Sequence, residues 1–337
     1  MGNIMIVGDL HEKENLGYSE YIKDGRRSEK REIFNFLVDQ SKDCDKVVFM
    51  GDVFNGRNNP STVIAGVTRL IERFGKKEIY ILGGNHDKKA DGTSALDYLK
   101  EVRKPNWHVI TDEVTVIGDM VFCPYFTRQE LGCKTNEEAE KMLMKMITGR
   151  KKKMLFVHHA ISGTKVTKNV TTDFFNEIVL KRAILEKEYE FVCGGHIHAP
   201  TQEDNLVVTG SIFNNEVGEH GKFIWKYGDK IEKIALPGRG IYKVENDIAE
   251  IKKIPSGSIV KFILTEKTDD IEAIETTLKA ATDAYLLLER YPRTRKKSKA
   301  LEGMSFDFNP ETLLEVYAKE RDIDIKKLKK AYNLIKE

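Results

Sequence analysis

Five short segments of this chain each place polar, metal-ligating side chains directly after a brief apolar run. No other feature restricts the fold as much. The segments read Gly8-Asp9-Leu10-His11, Gly51-Asp52, Gly83-Gly84-Asn85-His86-Asp87, His158-His159 and Gly195-His196-Ile197-His198. The runs before them, at 4–7, 46–50, 78–82, 154–157 and 191–193, are short and continuously apolar, as expected of strands covered on both faces. Between them, apolar residues at three-to-four spacing predict helices over 29–40, 61–74, 94–102 and 136–147, the second opening just after Pro60. The alternation implies an α/β sandwich whose chemistry sits at strand ends, because ligands of α/β sheets collect beyond the carboxyl ends of the strands.

After residue 205 the pattern changes to strand upon strand, at 206–209, 222–227 and 230–236, the last two joined by a Gly228-Asp229 turn. Pro237-Gly238-Arg239-Gly240 is a turn cluster and marks a domain boundary, closing a first domain over 1–237. Beyond it a strand at 258–265, a helix at 269–281 and a strand at 285–290 make a small β-α-β unit, a domain of capping size over 241–290. A basic linker over 291–309 leads to a helical tail over 310–337, which Asn309, Pro310 and Glu311 open with a cap, a first-turn proline and an acidic side chain.

Composition excludes several classes. With 337 residues, 40% hydrophobic and 32% charged, the chain has the make-up of a globular protein with a large core. A net charge of +2 gives no global attraction to a polyanion, so any such binding must come from local clusters. Cys44, Cys123, Cys133 and Cys193 lack ligand or disulfide-framework spacing and read as thiols of a reducing compartment. No apolar run approaches the roughly 18 residues needed to span a bilayer. A cytoplasmic protein, or one of the host cytoplasm if phage-encoded, is expected.

Asp9 and His11, one residue apart, can reach the same cation. Asp52 follows Gly51, which allows close approach, and its two oxygens make it the natural bridge between two ions. Asn85 offers a neutral carbonyl oxygen, and His158, His196 and His198 offer ring nitrogens. Taken singly each segment has a plainer explanation: Gly-Asp is a common turn, and a His pair after a strand is more often packing. Together and in this order they point to two divalent cations, a standard device for breaking phosphate esters.

These segments resemble the calcineurin-like metallophosphoesterases, whose pattern is D-x-H, G-D, G-N-H-[DE], H and G-H-x-H. The resemblance covers roughly residues 1–236 and implies a four-layer α/β/β/α sandwich. It further implies that Asp9, His11 and His198 hold one ion, that Asn85, His158 and His196 hold the other, and that Asp52 bridges them. His86 would be the acid near the leaving group, oriented by Asp87, while His159 would pack behind the ligands. The two cations would activate a water for in-line attack.

Finer details resemble the nuclease subunit of the SbcCD-type DNA double-strand-break repair complex, especially its compact versions in tailed phages. They are the polar loop leading into Arg26-Arg27-Ser28-Glu29-Lys30-Arg31, the Asn55-Gly56-Arg57 that follows Asp52-Val53-Phe54, and Thr209-Gly210-Ser211 with Asn215-Glu216-Val217-Gly218-Glu219 after the last ligand segment, with Thr209 where relatives commonly carry Pro. That likeness implies a DNA nuclease, exonuclease or endonuclease, using Mn2+, with Fe2+ or Zn2+ also compatible with the ligands. It implies a homodimer within a heterotetramer whose other subunit is an SMC-like ABC-type ATPase. The capping and tail segments match in order and size rather than by motif. In the tail, Leu313, Leu314 and Tyr317, then Ile325, Leu328, Tyr332 and Ile335, form apolar stripes suited to a partner helix pair. Arg290, Arg293, Arg295, Lys296, Lys297 and Lys299 form a basic cluster suited to phosphate contacts that do not read sequence. Arg150 to Lys153 form another. Two alternatives stand beside the nuclease: a phosphoesterase of small molecules or phosphoproteins with the same metal site, and a non-catalytic scaffold.

Overall fold

The apolar runs become inner strands because each is buried on both faces, one by a second sheet and the other by helices. The computed structural model describes residues 3–22, 24–88, 93–167, 170–219, 221–265, 271–282 and 284–289, with 314, 315, 318, 324–326, 328 and 329 of the tail. In chain order the first half comprises β1 (Ile4–Val7), α1 (Arg27–Gln40), β2 (Lys46–Phe49), α2 (Ser61–Glu72), β3 (Glu78–Leu82), α3 (Asp97–Glu101), β4 (Trp107–Ile110), β5 (Thr115–Ile117), β6 (Met120–Cys123), α4 (Asn136–Ile147) and β7 (Met154–Val157). Four short strands follow, β8 (Ala160–Ile161), β9 (Lys165–Thr167), β10 (Val170–Thr171) and β11 (Val179–Leu180), and then α5 (Arg182–Glu188) and β12 (Phe191–Gly194). The remainder is β13 (Thr201–Glu203), β14 (Leu206–Val208), β15 (Phe223–Tyr227), β16 (Ile231–Ala235), β17 (Ile241–Glu245), α6 (Ile248–Ile251), β18 (Ile259–Leu264), α7 (Ile271–Ala281) and β19 (Ala284–Glu289).

Two six-stranded sheets, β16-β15-β1-β2-β3-β4 and β13-β14-β12-β7-β6-β5, form the centre. Side chains from facing sides interdigitate between them: Ile6, Val48 and Tyr80 of the first sheet meet Phe122, Phe156 and Cys193 of the second. Tyr80, Phe122 and Phe156 stack in a row with ring centroids 4.9 and 5.2 Å apart. The outer face of the first sheet is covered by α1, α2 and α3 through Ile33, Leu37, Val67, Leu70 and Leu99. The outer face of the second is covered by α4 and α5 through Leu143, Ile147 and Leu185. The architecture is therefore the expected four-layer α/β/β/α sandwich.

Two expectations need correction. The helix expected over 94–102 spans only Asp97–Glu101, because Ser94 is held in a turn by its N–H to the Asp97 carboxylate at 2.8 Å. The unit after Gly240 has three strands rather than two, in the order β17-β18-β19, with β17 and β18 parallel. β17 carries only two buried apolar residues, Ile241 and Val244, and so escapes a reading by apolar runs. By its contacts the chain divides into Met1–Ile263 with Asp270–Leu288, and Leu264–Asp269 with Glu289–Glu337. Within the second unit, Leu314, Ile325 and Leu328 are half-buried helical residues, and Lys329 pairs with Glu315 at 2.8 Å. All four cysteines are unpaired, and no described helix is long and apolar enough to cross a membrane.

A buried ion pair ties the small sheet's entry to the sandwich. Arg26, its side chain out of solvent, donates from Nε to Glu29 at 2.7 Å and from Nη1 to the carbonyls of Gly17 and Asn214, both at 2.7 Å. Glu29 in turn accepts the Arg239 N–H at 2.9 Å. Removing one partner of such a pair leaves an uncompensated charge, at a cost of about 3–5 kcal/mol. Arg26→Met is expected to lower unfolding stability in urea by that order, and Arg26→Met with Glu29→Leu to recover much of it. Equal loss in the single and double variants would show that the pair is not what couples these segments.

Candidate metal centre

All five ligand segments stand at the carboxyl ends of parallel inner strands. β1, β2 and β3 are neighbours in the first sheet, and β7 and β12 in the second. Backbone hydrogen bonds stitch the loops together beyond the sheets. His11 N–H donates to Asp52 O at 2.7 Å, Asp9 N–H to Gly210 O at 3.1 Å, and Thr209 N–H to Gly194 O at 2.9 Å. The last is a bond that a proline at position 209 could not make. His11, Asp52 and His196 hold left-handed backbone, with φ of 44°, 45° and 74°. Each such residue stores about 1–3 kcal/mol of strain, sustained by these surrounding bonds. Two glycines make room: a Cβ at Gly84 would land on the Asp52 carboxylate, and one at Gly51 on the His158 ring.

For His158 and His196 the partner of one ring nitrogen selects the other to face the centre. His158 Nδ1 lies 2.7 Å from the Met50 carbonyl, which turns Nε2 toward Asn85 Oδ1 at 3.2 Å and Asp52 Oδ2 at 3.4 Å. His196 Nε2 lies 2.9 and 3.0 Å from the two Glu177 oxygens, which turns Nδ1 toward Asn85 Oδ1 at 3.0 Å. Opposite them, His11 Nε2 and His198 Nε2 meet at 2.8 Å, with Asp52 Oδ2 3.6 Å from the former and Asp9 Oδ2 4.0 Å from the latter. The donor atoms thus form two sets, Asp9, His11 and His198 on one side, Asn85, His158 and His196 on the other, with Asp52 between them. Within the triads Asp9-His11-His198 and Asp52-His158-His196, the ligand atoms lie within 4.8 Å of one another. Divalent cations fit these sets. Two ring nitrogens point at one place, and buried Asp9 Oδ2 has no hydrogen-bond partner, so a cation there would satisfy all three. The donors are oxygens and imidazoles without thiolates, a set shared by manganese, iron and zinc.

Electrostatics of the metal-free site fit the same reading. Burial pushes Asp9 up to about 8, against the pull of His158. Burial lowers His11 to about 3, so its approach to Asp52 is not an ion pair. His158 is also depressed by burial, but Asp52 and Asp9 overcome this and lift it to about 10. Asp52 itself, despite burial, is held below the ordinary carboxylate range by His158 and His11. A proton on Asp9 and an imidazolium at His158 therefore occupy the place of cationic charge.

His86 stands beside the centre. Its exposed ring lies edge-on to His11, with centroids 4.8 Å apart, and its Nδ1 is 3.1 Å from the Asn55 carbonyl. Asp87, expected to orient that ring, is turned elsewhere. Its buried carboxylate accepts the N–H groups of Val53, Phe54 and Gly84 at 3.2, 2.9 and 2.9 Å. It locks the Asp52 and Asn85 loops together, and the Asn55 carbonyl takes the orienting position. His159 is a core histidine behind the ligands: it stacks on Tyr125 and accepts the Phe126 N–H at 3.0 Å, and burial keeps it neutral. Asn55 was noted in the segment after the bridging Asp but given no role, and Glu177, which lies in no motif, was missed by sequence reasoning.

Other expected positions fall elsewhere. Arg290, Arg293, Arg295, Lys296, Lys297 and Lys299, with Leu313, Tyr317, Tyr332 and Ile335, lie outside the described residues. In the second basic cluster, Arg150 donates from Nε to the Met146 carbonyl at 2.8 Å, finishing the end of α4.

A sequence profile described as "Calcineurin-like phosphoesterase" matches residues 2–200. The chain belongs to that family. It is a phosphoesterase of the metal-dependent kind, and the ligand sets above are its candidate metal centre. A search of curated proteins returns no match. A solved structure described as "a Novel Archaeal Phosphodiesterase" is similar at 14% identity over 69% of this chain and 99% of the other, with a TM-score of 0.34. That likeness is too loose to carry an argument.

Cations must displace the protons on Asp9 and His158, so loading this phosphoesterase releases protons. More acid fills the site with competing protons, so affinity should fall as pH drops below about 10, where His158 takes its proton, and more steeply below about 8, where Asp9 does. Calorimetric titration with Mn2+ in buffers of different ionisation enthalpy should give heats that differ by buffer. Identical heats would contradict the protonated metal-free site.

Proposed function

We propose that this phosphoesterase is a DNA nuclease that hydrolyses phosphodiester bonds with two divalent cations, Mn2+ foremost. The observation that carries the reading is the pair of donor sets sharing one carboxylate, with an exposed imidazole, His86, beside them. When bound, the cations supply an activated water and charge stabilisation for in-line displacement. Asp52, Asp9 and Asn85 place oxygen donors, while His11, His158, His196 and His198 present ring nitrogens already turned inward. His86, held through Nδ1 by the Asn55 carbonyl and with a ring nitrogen within 4.8 Å of ligand atoms of His11 and Asp52, can hydrogen-bond the phosphate or protonate the departing alkoxide, work typically contributing about 10²–10⁴-fold. Asp87 keeps the two loops that carry Asp52 and His86 in fixed relation.

Preference for DNA over a small ester is supported by what surrounds the centre. The segment after Ser211 runs from the site to the small sheet. Ile212 N–H bonds Asp9 O at 3.0 Å, and Gly218 N–H bonds Ile241 O at 2.8 Å. Glu216 and Glu219 of this segment line a cavity that also touches His196 and His198. A small sheet rooted beside the metals suits a capping domain that positions a polymer. In the same reading the tail engages a helix pair of an SMC-like ATPase, the protein acts as a homodimer in that complex, and the 290–299 segment holds DNA phosphates.

Linear double-stranded DNA and a chromogenic phosphodiester, each with Mn2+, distinguish the alternatives. The proposal expects DNA to be degraded, and His86→Asn to cut kcat about 10²–10⁴-fold with metal binding retained. Hydrolysis of the small ester with intact DNA would point to a small-molecule phosphoesterase. Full nuclease activity in His86→Asn would remove that residue from the chemistry.

A further inference from the structure

Glu177 is placed with unusual economy. β7 ends in the ligand His158, and after His159 the chain enters β8, whose Ala160 and Ile161 pair in parallel with Val179 and Leu180 of β11. Residues between these strands form an excursion pinned at its base, where the Thr172 hydroxyl donates to the Ile161 carbonyl at 2.5 Å and the Asp173 carboxylate accepts the Gly163 N–H at 3.1 Å. The excursion returns to β11 through buried Ile178, and the residue before it is Glu177. Both its oxygens lie against His196 Nε2, at 2.9 and 3.0 Å, and its side chain is three-quarters buried, at 24% exposure. The other ring nitrogen, Nδ1, faces Asn85 Oδ1 at 3.0 Å, within the donor set of the second cation.

We infer that Glu177 is a positioning residue for that second cation, holding His196 in the tautomer and rotation that aim its Nδ1 lone pair at the set formed by Asp52, Asn85 and His158. The inference rests on the two-metal reading above. Of the four ligand rings, His158 and His196 are held by a partner on the nitrogen away from the centre, whereas His11 Nδ1 is buried without one. His158 uses a backbone carbonyl, Met50, supplied by the strand end that also delivers Asp52. His196 has left-handed backbone, at φ 74°, and its Nε2 is turned outward to the cavity walled by Phe175, Glu177 and Ile197. A carboxylate serves there better than a carbonyl. It accepts the Nε2 proton through either oxygen, and its charge raises the basicity of the opposite nitrogen. Loss of such a partner typically weakens metal affinity about 10–100-fold. Its contact falls on the Asn85 side of Asp52, while the His196 backbone N–H bonds Asp9 Oδ1 at 3.2 Å on the other.

The test compares wild type, Glu177→Ala and Glu177→Gln by Mn2+ calorimetry and by Mn2+ electron paramagnetic resonance, with thermal unfolding in parallel. Wild type should bind two ions. Glu177→Ala should bind one ion as before and the other about 10–100-fold more weakly, with the exchange-coupled signal of paired Mn2+ lost at limiting metal and an unchanged unfolding temperature of the metal-free protein. Glu177→Gln, which keeps an acceptor oxygen but not the charge, should fall between. Two ions bound by Glu177→Ala as tightly as by wild type would overturn the Glu177 inference and leave the two-metal centre standing. Equal weakening of both ions with a lowered unfolding temperature would also overturn it, marking Glu177 as a general structural support. A wild type that binds only one ion would overturn the two-metal reading, and this inference with it.

Discussion

Asp52 carries a negative charge almost wholly out of water, and much of the surrounding structure compensates for it. Its Oδ1 accepts the His86 N–H at 2.8 Å, and its Oδ2 faces His158 and His11 at 3.4 and 3.6 Å. Burying a carboxylate is expensive even after the protein relaxes, so the fold must bring positive charge to it. In the metal-free chain His158 does this as an imidazolium, and Asp9 keeps a proton rather than add a second charge. In the proposed centre divalent cations would meet the same need more strongly, held by the oxygens and ring nitrogens around Asp52. Gly51 and Gly84 belong to the same requirement, because only residues without a Cβ let the backbone pack against the Asp52 and His158 side chains.

The sandwich supplies rigidity for this arrangement. Ligands sit one to four residues beyond strands whose side chains are almost entirely buried, so a shift of any loop must work against the core between the sheets. Three ligand-bearing residues in left-handed backbone show where the loops are bent to reach the centre. Asp87, with three backbone N–H groups on its carboxylate, joins the Asp52 loop to the loop carrying Asn85 and His86. The Arg26–Glu29 pair does similar work farther out, joining α1, the segment after Ser211 and the entry to the small sheet.

Much of this was legible in the sequence, for physical reasons. A strand buried on both faces must be continuously apolar, so β1, β3 and β7 stand at their expected bounds, and β2 and β12 differ by one residue at the end. Metal ligands are few in kind, and their spacing at strand ends exposed the candidate ligands and the central place of Asp52, while their division into two sets came from the resemblance to the metallophosphoesterases. β4, β5 and β6 end in no ligand and so carry no motif, although Gly118-Asp119 between the apolar runs 115–117 and 120–123 is a hairpin signal. The partners that aim the ligands were less legible. A carbonyl such as that of Met50 or Asn55 belongs to every residue and leaves no trace in the side-chain pattern. Glu177 meets His196 across 19 residues through the β8–β11 pairing, a two-residue ladder too short to read. Asp87 shows the opposite error: beside His86 in sequence, it turns its side chain away from the ring.

The central claim is that one buried carboxylate is shared by two cation sites of unlike ligand sets. Anomalous diffraction from crystals of the full chain grown with Mn2+ tests it most directly. The account predicts two peaks, one among Asp9, His11, Asp52 and His198 and the other among Asp52, Asn85, His158 and His196. A single peak, or two peaks that do not both touch Asp52, would contradict it.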